Sequence, residues 1–321
     1  MPGVLAIAGP TASGKSALAV ALAKAVGGEV VNADALQVYG GLRVLTALPD
    51  TADMAGVPHH LFGHVDPRAR HSVGAWSREA LAVLADLRAR GRTAILAGGT
   101  GLYFRALFEG LAEIPEPEPD ALAQAKALSA SALREAAERL DPVATARTRG
   151  DPQRLIRIVA VARGTAKPLS EWQADTRPRV ADWAGVVVEP PRETLYARIE
   201  ARFDAMVAGG GLEEAARFAA LGLPDDLPAS KAIGLAELVR AARGEIGLDT
   251  ALGLAKRNSR RLAKRQTTWF RNQCGEWPRV GVGMDAREVL DALTGRSKHM
   301  FPTLRHSPVK PANDGGEKER R

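Results

Sequence analysis

Residues 9 to 16 read Gly9-Pro10-Thr11-Ala12-Ser13-Gly14-Lys15-Ser16 and follow directly on the apolar run Val4 to Ala8. This octapeptide constrains the fold more than any other feature. It fits G-x-x-x-x-G-K-[ST] without a mismatch and lies after a buried-strand pattern and before a helical one. The glycines let backbone N–H groups converge on phosphate oxygens, and a helix N-terminus adds partial positive charge. Lys15 supplies a full charge, and the Ser16 hydroxyl can ligate Mg²⁺. Gly9, Pro10, Thr11, Ala12, Ser13, Gly14, Lys15 and Ser16 are therefore expected to bind a diphosphate-like group. The bland alternative, a chance match in a structural loop, sits poorly with the strand–loop–helix context. The motif does not say which diphosphate is bound.

Around this loop the chain alternates in the α/β manner. Lys15 to Val26 predicts a helix closed by Gly27 and Gly28, and Glu29 to Ala33 predicts a second strand. Trp76 to Arg90 predicts an amphipathic helix with Ala80, Leu81, Leu84 and Leu87 on one face. Thr93 to Ala97 predicts a further strand, ending at Gly98-Gly99-Thr100-Gly101. Past Ile114 the pattern changes: Pro115, Pro117 and Pro119 alternate with acidic residues in a stiff connector. Asp120 to Ala181 is helical in pattern, and a strand returns only at Gly185 to Glu189. The expected fold class is α/β, a P-loop NTPase-like core with a parallel sheet and an inserted helical domain. The expected boundaries are 1–113 and 183–296 for the two parts of the core, 114–182 for the insertion, and 297–321 for a disordered tail.

Composition narrows the function classes. Hydrophobic residues are 45% of the chain and no apolar run is long enough to cross a bilayer. The first apolar stretch runs directly into a glycine-rich loop and has no basic n-region, so no signal peptide is expected; Cys274 is the only cysteine, and the expectation is a cytoplasmic protein, a monomer, without a membrane partner. The net charge of +7 suggests a polyanionic partner. Its distribution is more telling. Between Leu254 and Arg271 lie Lys256, Arg257, Arg260, Arg261, Lys264, Arg265 and Arg271, with no acidic residue. Positions 256/260/264 and 257/261/265 form two adjacent helical ridges of like charge. An uncompensated stripe is costly unless something anionic covers it, which favours a phosphate backbone over an ordinary solvated face. Lys231 is a further candidate of this kind. His59-His60 lacks the cysteine or HExxH-type neighbours of a zinc site, so a structural or substrate-contact role is expected. Trp269-Phe270 is expected in the core.

Asp34 follows the second strand. In an open parallel sheet the carboxyl ends of neighbouring strands face the ligand crevice, so Asp34 is expected near the phosphate loop. A carboxylate there can act as general base or ligate Mg²⁺; it can equally be a turn residue. A motor-type ATPase carries an acidic residue at the end of an apolar strand to hold Mg²⁺. Here Thr93 to Ala97 ends in glycines instead. Small-metabolite kinases remain open, as does a non-catalytic RNA-binding module.

Several blocks occur in one order: Gly9–Ser16, Asp34–Tyr39, Val57-Pro58-His59-His60-Leu61, Gly98-Gly99-Thr100-Gly101-Leu102-Tyr103, Asp151-Pro152-Gln153-Arg154-Leu155, and Leu262-Ala263-Lys264-Arg265-Gln266-Thr267-Thr268-Trp269. Together they resemble the bacterial tRNA dimethylallyltransferases, from about residue 3 to residue 277. The resemblance implies transfer of a dimethylallyl group from dimethylallyl diphosphate to N6 of the adenosine just 3′ of the anticodon. It implies tRNA (its anticodon stem-loop) and dimethylallyl diphosphate as partners, and Mg²⁺ at Ser16 as cofactor. Asp34, Thr100 and Lys15 become the catalytic candidates, Thr100 as donor to the oxygen bridging carbon and phosphorus. Asp34, Ala35, Leu36, Gln37, Gln153, Arg154, Leu155, Ile156, Arg157, Lys231, Arg257, Arg261, Lys264 and Arg265 become the tRNA-binding candidates. The chain departs from the family pattern at Ala35, at Leu45-Thr46-Ala47-Leu48-Pro49, where the family carries a lysine, at Leu122, where an arginine is frequent, and at Gly234-Leu235, a Gly-Tyr pair elsewhere.

Overall fold

A computed structural model describes residues 2–174 and 176–295 of the chain. The tail expected from Ser297 lies outside them. Six parallel strands, β1 (Val4–Ala8), β2 (Glu29–Asn32), β3 (His59–His60), β4 (Ala94–Gly98), β5 (Trp183–Val188) and β6 (Arg279–Val280), form one sheet in the order β3-β2-β4-β1-β5-β6. Fifteen helices surround it among the described residues. The first five are α1 (Lys15–Val26), α2 (Arg43–Thr46), α3 (Thr51–Met54), α4 (Val73–Ala89) and α5 (Gly101–Phe108). Next come α6 (Pro119–Ala127), α7 (Ala130–Leu140), α8 (Pro142–Ala146), α9 (Pro152–Thr165) and α10 (Leu169–Ala174). The last five are α11 (Arg192–Ala208), α12 (Gly211–Ala219), α13 (Leu235–Ala242), α14 (Leu248–Gln273) and α15 (Ala286–Gly295).

The central strands are apolar throughout because the sheet is buried on both faces. Along β1, Val4, Ala6 and Ala8 join a cluster with Trp76, Leu84, Phe104 and Phe270. Leu5 and Ile7 point the other way, to Ala19 and Leu22 of α1 and Val289 of α15. The helix at 76–90 begins earlier than periodicity indicates, at Val73, because the Ser72 side chain accepts from the Ala75 N–H and caps it. The short strands β3 and β6 carry too few residues for a two-residue period to be read.

Helices α6 to α10 fill the interval between α5 and β5, and β5 then pairs with β1 from Val4–Trp183 to Ala8–Val187. The polypeptide thus leaves the core and returns to the middle of the same sheet. The excursion has its own apolar cluster, in which Leu133, Ala137, Leu155, Ile158, Val159 and Leu169 pack together. Its two connectors run side by side: the Arg179 and Val180 N–H groups both donate to the Leu107 carbonyl, at 2.9 and 3.1 Å.

Candidate functional site

Three adjacent strands deliver the site. β2, β4 and β1 are neighbours, and their carboxyl ends carry Asp34, Thr100 and the phosphate loop respectively. The loop turns at Gly14, whose φ of 91° is left-handed, and α1 starts with no side-chain cap and no acidic residue in its first turn. Its N-terminal amides are therefore left for a ligand. Gly9 admits the close turn: a Cβ there would sit 2.7 Å from the Val188 carbonyl oxygen and 2.9 Å from Ser13 Oγ. That Ser13 hydroxyl is buried with no hydrogen-bond partner among the described residues, an orphan donor inside the loop.

Lys15 Nζ donates to the Pro10 carbonyl at 3.3 Å. Burial is the largest influence on this ammonium and drives its pKa down to about 8; Asp34 pulls it back up and Arg202 lowers it further. Arg202, on α11, is likewise lowered chiefly by burial and raised by Asp34. The Asp34 carboxylate thus acts on both cations, Lys15 and Arg202. On the same face of α11 one turn earlier, the Arg198 guanidinium lies beside Gly14, 3.2 Å from where a Cβ would be. Neither arginine stood out in the sequence. Both belong to an ordinary-looking amphipathic segment, Arg192 to Ala208, and nothing local shows that one face of it closes over the loop.

Asp34 is held by its neighbours. Asn32 Oδ1 accepts from the Asp34 N–H at 2.8 Å, and Asn32 Nδ2 donates to the Asp34 carbonyl at 3.0 Å. Asp34 Oδ1 accepts from the Leu36 N–H at 3.0 Å, so among the described residues its second carboxylate oxygen stays free of protein donors. Thr100 occupies the N-cap position of α5 without capping it. Its hydroxyl oxygen instead accepts from the Ala35 N–H at 2.9 Å, tying β4's end to the Asp34 segment. Gln37 Nε2 donates to the Thr46 and Ala47 carbonyls at 2.9 and 2.8 Å, so it braces the following loop.

The glycines after β4 have packing reasons. A side chain at Gly98 would overlap the Ala33 backbone, one at Gly99 would overlap Gln266, and one at Gly101 would overlap the Trp269 ring. Gln266 of α14 accepts from the Thr11 N–H through Oε1 and donates to the Gly99 carbonyl through Nε2, both at 2.9 Å. This single amide joins the phosphate loop to the β4 loop. Trp269, expected in the core, is half-buried over Gly101, while Phe270 is fully buried.

The basic stripe needs correction. Lys256 pairs with Asp204 at 2.5 Å, Arg260 with Glu200 at 2.8 Å and Arg271 with Glu189 at 2.5 Å. The first two acids come from α11, 52 and 60 residues away in sequence, far beyond the three- to four-residue spacing that a local charge pattern can report. Arg257, Arg261, Lys264 and Arg265 remain exposed and carry no ion pair among the described residues. Lys231 is also exposed, on a 3₁₀ turn, Ala229–Lys231. On α9, Asp151 caps the helix, accepting from the Arg154 N–H, and Gln153, Arg154 and Arg157 are exposed. Leu155 is not: it is 4% exposed inside the insertion's apolar cluster, with Ile156 packed against that cluster, so the Leu155 side chain belongs to the core. His60 Nε2 lies 2.7 Å from the buried Glu29 carboxylate, and Arg90 and His60 hold that carboxylate down at about pKa 2.

A family profile described as IPP transferase matches residues 37–273, and one described as isopentenyl transferase matches residues 2–61. The tRNA dimethylallyltransferase of Maricaulis maris is 53% identical over 296 residues, which span 90% of this chain and 96% of that one. The tRNA isopentenylpyrophosphate transferase of Staphylococcus epidermidis superposes with a TM-score of 0.66 at 32% identity, over 93% of this chain and 99% of the other. A eukaryotic dimethylallyltransferase that acts on tRNA superposes with a TM-score of 0.81 at 22% identity, which speaks to the fold alone. With a strand-end carboxylate facing a P-loop and this extent of similarity, the chain belongs to the tRNA dimethylallyltransferase family.

Proposed function

We propose that this protein transfers a dimethylallyl group from dimethylallyl diphosphate to N6 of the adenosine 3′ of the anticodon in tRNA, releasing diphosphate. The observation that carries it is the grouping of Asp34 with Lys15 and Arg202 at the ends of adjacent strands. A phosphate cradle lies next to a carboxylate with a free oxygen, and family membership supplies the substrates.

The exocyclic amine of adenine is a weak nucleophile because its lone pair is delocalised into the ring. Asp34, with one oxygen anchored by the Leu36 N–H and the other free, takes the amine proton as general base. The donor carbon is allylic, so positive charge develops on it while negative charge develops on the departing diphosphate. The loop amides, the orphan Ser13 hydroxyl, Lys15 and Arg202 are assigned to that negative charge. Thr100 accepts from the Ala35 N–H and so keeps its own hydroxyl proton to donate to the bridging oxygen. Ser16 and Asp34 offer hydroxyl and carboxylate oxygens, the hard donors that suit Mg²⁺. With the orphan Ser13 hydroxyl in the same loop as Ser16, the residues fit that ion, and Ser16 would hold it. When bound, Mg²⁺ neutralises charge on the leaving diphosphate.

The base must leave its stack to reach Asp34. Asp34 to Gln37 and the exposed Gln153, Arg154 and Arg157 are the segments assigned to the flipped nucleotide and its neighbours. Arg257, Arg261, Lys264, Arg265 and Lys231 are assigned to phosphates. A tRNA substrate and a single buried cysteine support a cytoplasmic setting.

One assay tests the proposal. Unmodified tRNA is incubated with the protein and either dimethylallyl diphosphate labelled in the allyl group or ATP labelled in the γ-phosphate. Allyl label in the RNA is expected. Label transferred from ATP, or RNA binding with no transfer from either donor, would overturn it.

A further inference from the structure

We propose that His64, His71 and Glu79 form a binding site for one divalent transition-metal ion of the Zn²⁺ or Co²⁺ kind, separate from the transferase centre. His64 Nε2 and His71 Nε2 converge on the same carboxylate oxygen, Glu79 Oε2, at 2.9 and 3.1 Å. The two imidazoles stand edge to face with ring centres 5.8 Å apart. All three ligand atoms lie within 4.8 Å of one another. With metal–nitrogen and metal–oxygen bonds of about 2.0–2.2 Å, tetrahedral ligands sit roughly 3.3–3.6 Å apart. An ion therefore needs the two nitrogen–oxygen separations to open by only a few tenths of an ångström.

Fold and chemistry both favour such an ion. Glu79 is fixed on α4, and His71 immediately precedes the Ser72 cap of that helix. The His71 side chain is 8% exposed, whereas His64 and Glu79 are 31% and 39% exposed, so the site is rigid on one side and open on the other. Three protein ligands with an open fourth position suit a four-coordinate ion that keeps a water. Two imidazoles with one carboxylate select Zn²⁺ or Co²⁺ over Mg²⁺, which prefers oxygen donors alone. The neighbouring Arg70 is engaged by Asp226, which reduces its repulsion of a cation. One feature weakens the site. His71 Nδ1 is buried without a partner among the described residues, and coordination at Nε2 would put the imidazole proton there with no acceptor among them. The missing outer-shell bond lowers affinity by about 10–100-fold relative to a fully supported site.

The site lies behind the catalytic segment. The His71 N–H donates to the Tyr39 hydroxyl at 3.1 Å. The Gly63 and Val65 N–H groups donate to the Gln37 and Val38 carbonyls, both at 2.9 Å. An ion joining His64 and His71 to α4 would brace this loop against the segment that begins at Asp34.

The test is a titration of metal-free, full-length protein with Co²⁺, followed by visible ligand-field absorption. A band that saturates near one equivalent and is displaced by Zn²⁺ is expected. Because His64 and Glu79 are accessible, His64→Asn and Glu79→Gln are compatible with folding, which near-ultraviolet circular dichroism checks. Each should weaken Co²⁺ binding by about 10-fold or more. No band in the wild-type protein overturns the proposal. So does a band of unchanged affinity in both variants, which would place the ion on other histidines.

Discussion

At the scale of single residues, the proposed function assigns the chemistry to Asp34 and Lys15. Asp34→Asn preserves size and the bond from the Leu36 N–H but cannot accept a full proton. Single-turnover transfer is expected to fall by a factor on the order of 10²–10⁴, while binding of tRNA and of dimethylallyl diphosphate stays near wild type. If Asp34 chiefly holds Mg²⁺, diphosphate binding weakens instead and excess Mg²⁺ restores it. Near wild-type single-turnover chemistry would remove Asp34 from the base role. Lys15 makes a second, pH-dependent prediction. Its ammonium has a pKa lowered to about 8 in the ligand-free protein, chiefly by burial. The diphosphate binds the protonated form, so its Kd should be flat below that pH and rise above it, by up to about tenfold per pH unit until the pKa of the complex is reached. Calorimetric titrations between pH 7 and 9 check this. An inflection that survives in Lys15→Ala would assign it to another group.

At the scale of elements, α14 does two jobs on two faces. Its inner face presents Gln266 to the phosphate loop and the β4 loop. Gln266→Leu removes both bonds and leaves the Thr11 N–H and Gly99 carbonyl without this partner. A stability loss of about 1–3 kcal/mol is expected by chemical denaturation, with weaker diphosphate binding and little change in tRNA affinity. Unchanged diphosphate affinity would show that the loop holds its shape without the staple. The outer face separates free from engaged cations. Arg261→Ala with Arg265→Ala should reduce the slope of log K against log salt for tRNA by roughly 0.7–0.9 per cation, across all tRNAs. Lys256→Ala with Arg260→Ala removes charges already paired to Asp204 and Glu200 and should change the slope less. Equal slopes for the two double variants would mean that the ion pairs with α11 do not decide which cations meet RNA.

At the scale of the whole molecule, the insertion and the core divide the work. The Leu107 carbonyl receives both the Arg179 and Val180 N–H groups, and a side chain at Gly110, where φ is 95°, would overlap the Arg177 backbone. The excursion therefore begins and ends at nearly one point and carries its own apolar cluster. Replacing residues 115–176 with a short glycine–serine link should leave a cooperatively unfolding core that still binds diphosphate, while transfer to tRNA is lost. Loss of diphosphate binding together with cooperative unfolding would show that the two parts stabilise each other and do not fold independently.

The phosphate loop, the parallel core and the helical excursion were legible in the sequence because each rests on a local signal. A glycine-spaced octapeptide, runs of apolar residues and the switch from strand to helix period all fall within a few turns of chain. Asp34 was legible for a related reason: the carboxyl ends of parallel strands share one edge, so a residue just after β2 must face the loop after β1. Arg198 and Arg202 were not legible, because only the packing of α11 against α14 turns that face toward Gly14 and Lys15. The pairing of Lys256, Arg260 and Arg271 was hidden for the same reason, since their acids arrive from elements remote in sequence. The burial of the Leu155 side chain was hidden likewise, because it depends on how α9 packs within the insertion's core. Local periodicity and motif spacing thus determined which elements form and where the phosphate-type loop lies. Which charges are free, which are neutralised and which side chains reach the ligand was decided only when elements distant in sequence packed together, since an ion pair or a buried contact depends on distances in space.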